Sequence, residues 1–211
     1  MAKVTKTSSP AAKLQQWIHP SYLDVSIVKK MAVAYKKRKT VPSLELQSFL
    51  QPSVFSAIKK QAEKAKYTTI SFPDMFINNI IEEKEIKGVL NEFMSFLESK
   101  EFSLFLSAIA GKKIFCKTIE WCSFGHGQYT LLYDEMQQEQ GVYLFFDCCS
   151  LEESCGGYTS IISDSKELAC ILPKQNTLTF FTLSNKVRYF TKYVNHKAGK
   201  KRRVVLMVKF K

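Results

Sequence analysis

The feature that most constrains the fold of this chain is a change of hydrophobic period near Lys112. Upstream of it, apolar residues recur three and four positions apart: Leu23, Ile27, Met31 and Ala34 with Tyr35, then Val89, Leu90, Phe93, Met94 and Leu97, then Phe102, Phe105, Leu106 and Ile109. Side chains at that spacing share one face of an α-helix. The runs predict a helix over 22–38 and two consecutive helices between Pro73 and Gly111, with Gly111 as the closing C-cap. A short strand or extended segment over 43–49 and a helix over 53–66, with Ser53 as its N-cap, fill the interval. Downstream the pattern becomes short β-rich runs, at 113–121, 129–133, 142–148, 158–162, 168–172, 177–183, 187–193 and 203–210. Glycine and asparagine separate them, where tight turns need a permissive backbone. Eight strands at roughly regular spacing predict a sandwich or barrel. The expected organisation is a flexible basic tail over 1–16, which shows no periodicity, and a single domain over 17–211, mainly helical to 111 and β-structured beyond.

Charge is the second constraint, because it is segregated. The net charge is +12, and it lies at the two ends: 13 Lys/Arg against 3 Asp/Glu over 1–66, 10 against 0 over 185–211, and 8 against 16 between them. Such a distribution attracts polyanions to the ends of the chain. The densest groups are Lys36, Lys37, Arg38 and Lys39 at the end of the first predicted helix, and Lys197, Lys200, Lys201, Arg202 and Arg203 before the last strand. Lysines at a helix C-terminus also complement its dipole, so the first group has a structural explanation that the second lacks. Trp17 and Trp121 offer faces on which bases stack, but core packing is the expected role of both.

No apolar run approaches the 18 or so residues of a membrane span, and the N-terminus has no apolar stretch of a secretory signal. A cytoplasmic or nuclear location is expected, with six reduced cysteines. Their spacings are poor for zinc, with five residues between Cys116 and Cys122 and no C-x2-C pair among Cys148, Cys149 and Cys155, so buried free thiols are expected. His126, between two glycines and near Cys122, reads as a turn residue rather than half of a nucleophilic pair, because no third orienting group can be named. Phosphate-loop and dinucleotide glycine motifs are lacking.

Specific stretches carry a resemblance. FGHGQYTLLYDE (124–135), GGYTSI (156–161), ILPKQNTLTFF (171–181) and RYFTKYVNHKAGKKRRVVLMV (188–208), with WIHPSYL (17–23), LELQSFL (44–50) and FLESKEFSLFLSAIAG (96–111), stand in an order that resembles a eukaryotic oxygenase family over 17–211. Its members have two tandem double-stranded β-helix domains and include prolyl hydroxylases of a small-subunit ribosomal protein. The chain is similar to the second of them, the oxoglutarate/iron-dependent oxygenase C-terminal degradation domain, and shows no counterpart of the catalytic first. The resemblance implies an α+β fold, with N-terminal helices packed on a C-terminal double-stranded β-helix, or jelly roll, of about eight strands.

An iron- and oxoglutarate-dependent oxygenase needs two histidines and a carboxylate on one face of the metal. The resemblance puts the first pair at Leu132-Tyr133-Asp134-Glu135, where Tyr133 stands in place of histidine, and the distal histidine near Phe190-Thr191-Lys192, where there is none. His196 falls in a turn, and only a cosubstrate-type arginine, Arg202 or Arg203, survives. A pseudo-oxygenase is expected, with no catalytic residue, metal or cofactor. It would be a binding module whose basic ends dock on an RNA-protein surface, best a ribosome (rRNA and ribosomal proteins), to regulate or silence translation. The alternatives are a protein-binding regulatory adaptor using the acidic middle (Glu82, Glu83, Glu85, Glu92, Glu98 and Glu101), and an active dioxygenase using Asp134 or Glu135 with His126 or His196.

Overall fold

A computed structural model describes residues 10–37, 39–132, 140–164 and 166–211. The helices are α1 (Pro10–Trp17), α2 (Val25–Lys37), α3 (Pro52–Lys64), α4 (Gly88–Leu97) and α5 (Lys100–Ala110). The strands before Lys112 are β1 (Ser43–Gln47), β2 (Tyr67–Phe72) and β3 (Phe76–Ile81). Those after it are β4 (Cys116–Phe124), β5 (Tyr129–Thr130), β6 (Gly141–Asp147), β7 (Thr159–Ser163), β8 (Lys166–Ile171), β9 (Thr177–Leu183), β10 (Val187–Thr191) and β11 (Arg203–Phe210). Each of the eight runs read beyond Lys112 thus corresponds to a strand. Tyr133, in the second run, lies outside the described residues.

All strand pairs are antiparallel. The larger sheet runs β1-β9-β6-β11-β4-β3-β2, with β5 added on β3, and the smaller runs β10-β7-β8. Alternation along the central strands separates two apolar layers. Val142, Leu144 and Phe146 of β6 and Val204, Leu206 and Val208 of β11 face the helices. Tyr143, Phe145 and Val205, from the same strands, face the smaller sheet. Burial on both faces explains why these strands read as continuous apolar runs rather than as alternating ones. On the helical side Trp17 stacks on Phe93 (5.5 Å) and Phe96 (5.2 Å), and Phe93 meets Phe146 edge-on at 5.2 Å. Trp17 and Trp121 are both buried, as expected of core residues. No helix among the described residues is long and apolar enough to cross a membrane.

Four expectations are corrected. The tail ends earlier than residue 16, since α1 begins at Pro10, with Leu14 packed on the core and Lys13 paired to Glu101 at 3.1 Å; residues 1–9 lie outside the described set. The first long helix starts at Val25 rather than at 22, because the Asp24 carboxylate accepts hydrogen bonds from the Ser26 (2.7 Å) and Ile27 (3.4 Å) amides and so caps it. α3 starts at Pro52, with Gln51 and not Ser53 in the cap position; proline has no N–H to leave unpaired and a ring that presets the first helical turn. The segment expected to be extended over 43–49 is β1, but the β2–β3 hairpin, which the helical periodicity does not show, also joins the larger sheet from the part up to 111. The C-cap at Gly111 is present, with φ +71°.

Candidate functional site: a basic cleft and the mouth of the sandwich

The two arginines ahead of β11 have opposite fates. Arg203 is fully buried between the sheets. Its Nε and Nη2 donate to the two carboxylate oxygens of Asp147 (2.6 and 3.0 Å), and its Nη1 donates to Thr159 Oγ1 (2.7 Å) and the Gly157 carbonyl (3.1 Å). Asp147 ends β6 in the larger sheet and Thr159 begins β7 in the smaller, so the guanidinium fastens one sheet to the other. Burial pushes the Asp147 carboxyl up and the guanidinium pulls it back; the two-point contact is the geometry that keeps such a pair ionised. Arg203 is therefore neither a nucleic-acid contact nor a cosubstrate arginine, which corrects both expectations.

Arg202 points the other way. Its Nη2 donates to the Glu63 carbonyl at 3.0 Å, and its guanidinium stands 4.6 Å from the centre of the Tyr67 ring. These contacts lay the segment 197–202 against the C-terminal end of α3. The turn is fixed further by Asn195, whose side chain accepts from the Lys197 amide (2.9 Å) and donates to the Ser154 carbonyl (2.8 Å). Between the two segments lies a cleft of about 310 Å³, with Glu63 and Ser150 on its wall opposite Lys200, Lys201 and Arg202. Lys197, Lys200 and Lys201 are exposed, and so are Lys60, Lys64 and Lys66 on the adjoining helix and its end. These lysines belong to the basic N-terminal segment, and no local pattern in the sequence ties them to residues roughly 140 positions later. Cys148 and Cys149 floor the cleft as neutral thiols: burial pushes Cys149 up to about 11 and Cys148 well above the ordinary range.

The other basic group is elsewhere. Lys36 and Lys37 close α2 and are exposed, as is Lys39; Arg38 lies outside the described residues. Tyr35 bonds to Thr182 near the end of β9, and the Thr182 amide donates to the Pro42 carbonyl at 2.9 Å. In the β6–β9 ladder Leu183 faces Gly141, whereas Thr177 faces Asp147 beside the cleft. Six residue steps of extended chain put the two lysine groups roughly 20 Å apart, at opposite ends of the larger sheet. The structure does not bring them into one site.

The ends of β5 and β10 meet at the mouth of the sandwich, where the Thr191 amide donates to Thr130 Oγ1 at 2.6 Å. This is where the resemblance puts the metal ligands. Tyr133, Asp134 and Glu135 lie outside the described residues. A cavity of about 220 Å³ opens here, with Glu120 and Cys122 in its wall. All three histidines are elsewhere: His126 is exposed beside Tyr193, His196 is exposed in its turn, and His19 caps the turn before α2. Cys122 is buried, its thiol pushed well up by burial and by Glu120, so it and His126 form no pair. With a single carboxylate, a neutral thiol, and neither imidazole, lysine nor arginine, the described lining does not fit a two-histidine iron site or the carboxylates of oxoglutarate. Of the remaining cysteines, Cys155 is buried, Cys116 half-buried, and Cys170 exposed against expectation.

Comparison with known proteins agrees with this architecture. Residues 76–211 match the family described as "Oxoglutarate and iron-dependent oxygenase degradation C-term". A curated relative, prolyl 3-hydroxylase OGFOD1 of Xenopus laevis, is 24% identical in an alignment of 228 positions that covers 88% of this chain and 44% of that protein. The chain thus spans under half the length of that relative. Among solved structures, a 2OG-Fe(II) oxygenase-family oxidoreductase of Burkholderia pseudomallei superposes with a TM-score of 0.62 at 8% identity, over 87% of this chain and 90% of the other. A prolyl hydroxylase of Trichoplax adhaerens gives 0.61 at 10% identity, over 88% and 89%. At such identities the likeness concerns the fold, and the fold is the double-stranded β-helix with helices packed on its larger sheet.

Proposed function

The chain belongs to the oxoglutarate and iron-dependent oxygenase degradation C-terminal family, and from that premise we propose that it is a non-catalytic, oxygenase-like binding module that docks on an RNA-protein surface. The observation that carries this reading is the basic cleft, where a fixed turn bearing Lys197, Lys200 and Lys201 is held by Arg202 against the end of α3, which bears Lys60 and Lys64. Cations displayed on a preset backbone bind phosphates with little ordering cost, and the affinity is independent of base sequence. The ribosome, in the cytoplasm or nucleus, is the particle we propose, because the resembling hydroxylases act on a ribosomal protein; regulation or silencing of translation is the role that follows.

The acidic middle gives less support to a protein adaptor. Glu82 is engaged by Lys84 (2.7 Å) and Lys66 (3.9 Å), and Glu101 by Lys13, so part of its charge is neutralised within the chain. The test is co-sedimentation of the purified chain with ribosomes across a salt series. If about six phosphates are neutralised, affinity falls roughly a thousandfold between about 50 and 200 mM salt. Binding indifferent to salt, or none, refutes RNA docking and turns the search to an apolar protein interface.

A further inference from the structure

The cleft between α3 and the 197–202 turn contains one group that phosphate docking does not explain. Glu63 stands on its wall opposite Lys200, Lys201 and Arg202, and a carboxylate repels the phosphates that those cations attract. The Glu63 side chain is 54% exposed, and its ion pair with Lys59 is long, at 4.0 Å. Lys59 also donates to Gln175 Oε1 at 3.3 Å, so the carboxylate is accessible and only loosely engaged. It lies close to the cleft floor, since it adds to burial in pushing the Cys148 thiol up. The bond from Arg202 to the Glu63 carbonyl ties the two walls together, so carboxylate and lysines keep a set separation. Between them the floor is uncharged: Cys149 is a half-buried neutral thiol whose sulfur accepts from the Val204 amide (3.2 Å).

Resting on the reading of this cleft as an RNA-docking site, we propose that it takes one unpaired guanine nucleotide of the RNA, with Glu63 accepting from the base and Lys200 and Lys201 holding its phosphate. Single-stranded RNA is read on the Watson–Crick edges of its bases. Guanine is the base whose edge offers two adjacent donors, N1–H and N2–H, which match the two oxygens of one carboxylate. Adenine and cytosine each place an acceptor beside their amino group, and uracil sets its N3–H between two carbonyl oxygens, so a carboxylate opposes all three. A volume of about 310 Å³ equals roughly ten waters at about 30 Å³ each, room for a purine with its ribose and phosphate but not for a duplex. The soft, uncharged floor suits the face of a ring. Phosphates on either side of the bound nucleotide fall within the field of Lys60, Lys64 and Lys197, which are exposed around the cleft.

The probes are the labelled single-stranded pentanucleotides UUGUU, UUAUU and UUUUU, titrated into the full chain by fluorescence anisotropy at about 50 mM salt, with GMP as a competitor. UUGUU is expected to bind about tenfold or more tighter than the other two, the discrimination of one two-point contact to a base. GMP should displace it less well than unlabelled UUGUU does, because it lacks the flanking phosphates. Glu63→Gln changes an exposed side chain, so the variant should keep its melting temperature, bind UUGUU about tenfold more weakly, and bind UUAUU as well as the parent or better, a negative charge having left the cleft. A merely structural role would weaken both alike. Equal binding of the three oligonucleotides, or a Glu63→Gln variant that retains the guanine preference, overturns the proposal and leaves salt-dependent ribosome docking standing. GMP as tight as UUGUU overturns the RNA source in favour of a free nucleotide. Guanine preference without co-sedimentation refutes the ribosome alone, and no saturable binding of any oligonucleotide overturns both.

Discussion

At the scale of single residues, the neighbours Arg202 and Arg203 show how register decides the use of a charge. Arg203 shares a strand face with Val205 and so enters the space between the sheets, where only Asp147 makes it tolerable. Removing one partner strands the other charge in an apolar interior. Arg203→Ala is expected to cost roughly 3–5 kcal/mol in urea denaturation, and Arg203→Met combined with Asp147→Leu to recover most of that loss. A single variant as stable as the parent would contradict the clasp. The KKRR run looks like uniform surface charge, yet one signal was available: Asp147 ends an apolar strand, and an acid there requires a cation. Thiol chemistry belongs to the same scale. Burial pushes Cys116 and Cys149 up to about 11. The thiolate is the reactive form, so a raised value means less of it at a given pH. At pH 8 these thiols should be alkylated by iodoacetamide about a hundredfold more slowly than a free thiol of pKa near 8.5, with rates rising toward pH 11.

At the scale of elements, the β-half was legible because each strand is apolar and bounded by turn residues. The hairpin of β2 and β3 escaped notice. β2 is a largely exposed and β3 a half-buried, half-polar run between two helices, although β-branched residues either side of Pro73-Asp74 are a hairpin signature. Pairing was not legible at all: β1 joins β9 more than 130 positions away, a contact that no local pattern encodes. The Gly156-Gly157 pair in the family-like GGYTSI stretch now has a physical reason. Gly156 has φ +73°, and a Cβ there would lie 1.9 Å from the Tyr193 carbonyl oxygen. Gly156→Ala combines a backbone clash with a left-handed conformation, so a loss of about 2–4 kcal/mol is expected. An alanine variant with unchanged melting temperature would mean that the two segments separate at little cost.

At the scale of the whole molecule, a rigid two-sheet scaffold separates three surfaces: a lysine-bearing cleft at one end of the larger sheet, the α2 lysines at the other, and the mouth cavity. The charge segregation in the sequence makes a polyanion partner an expectation, but distance in the fold divides that charge into two groups and withdraws Arg203 from either. The most direct test compares two variants by co-sedimentation with ribosomes at moderate salt, one carrying Lys60, Lys64, Lys200 and Lys201→Ala, the other Lys36, Lys37 and Lys39→Ala. The account predicts that the cleft variant stays in the light fractions while the α2 variant pellets like the parent; a folded cleft variant that pellets undiminished would contradict it.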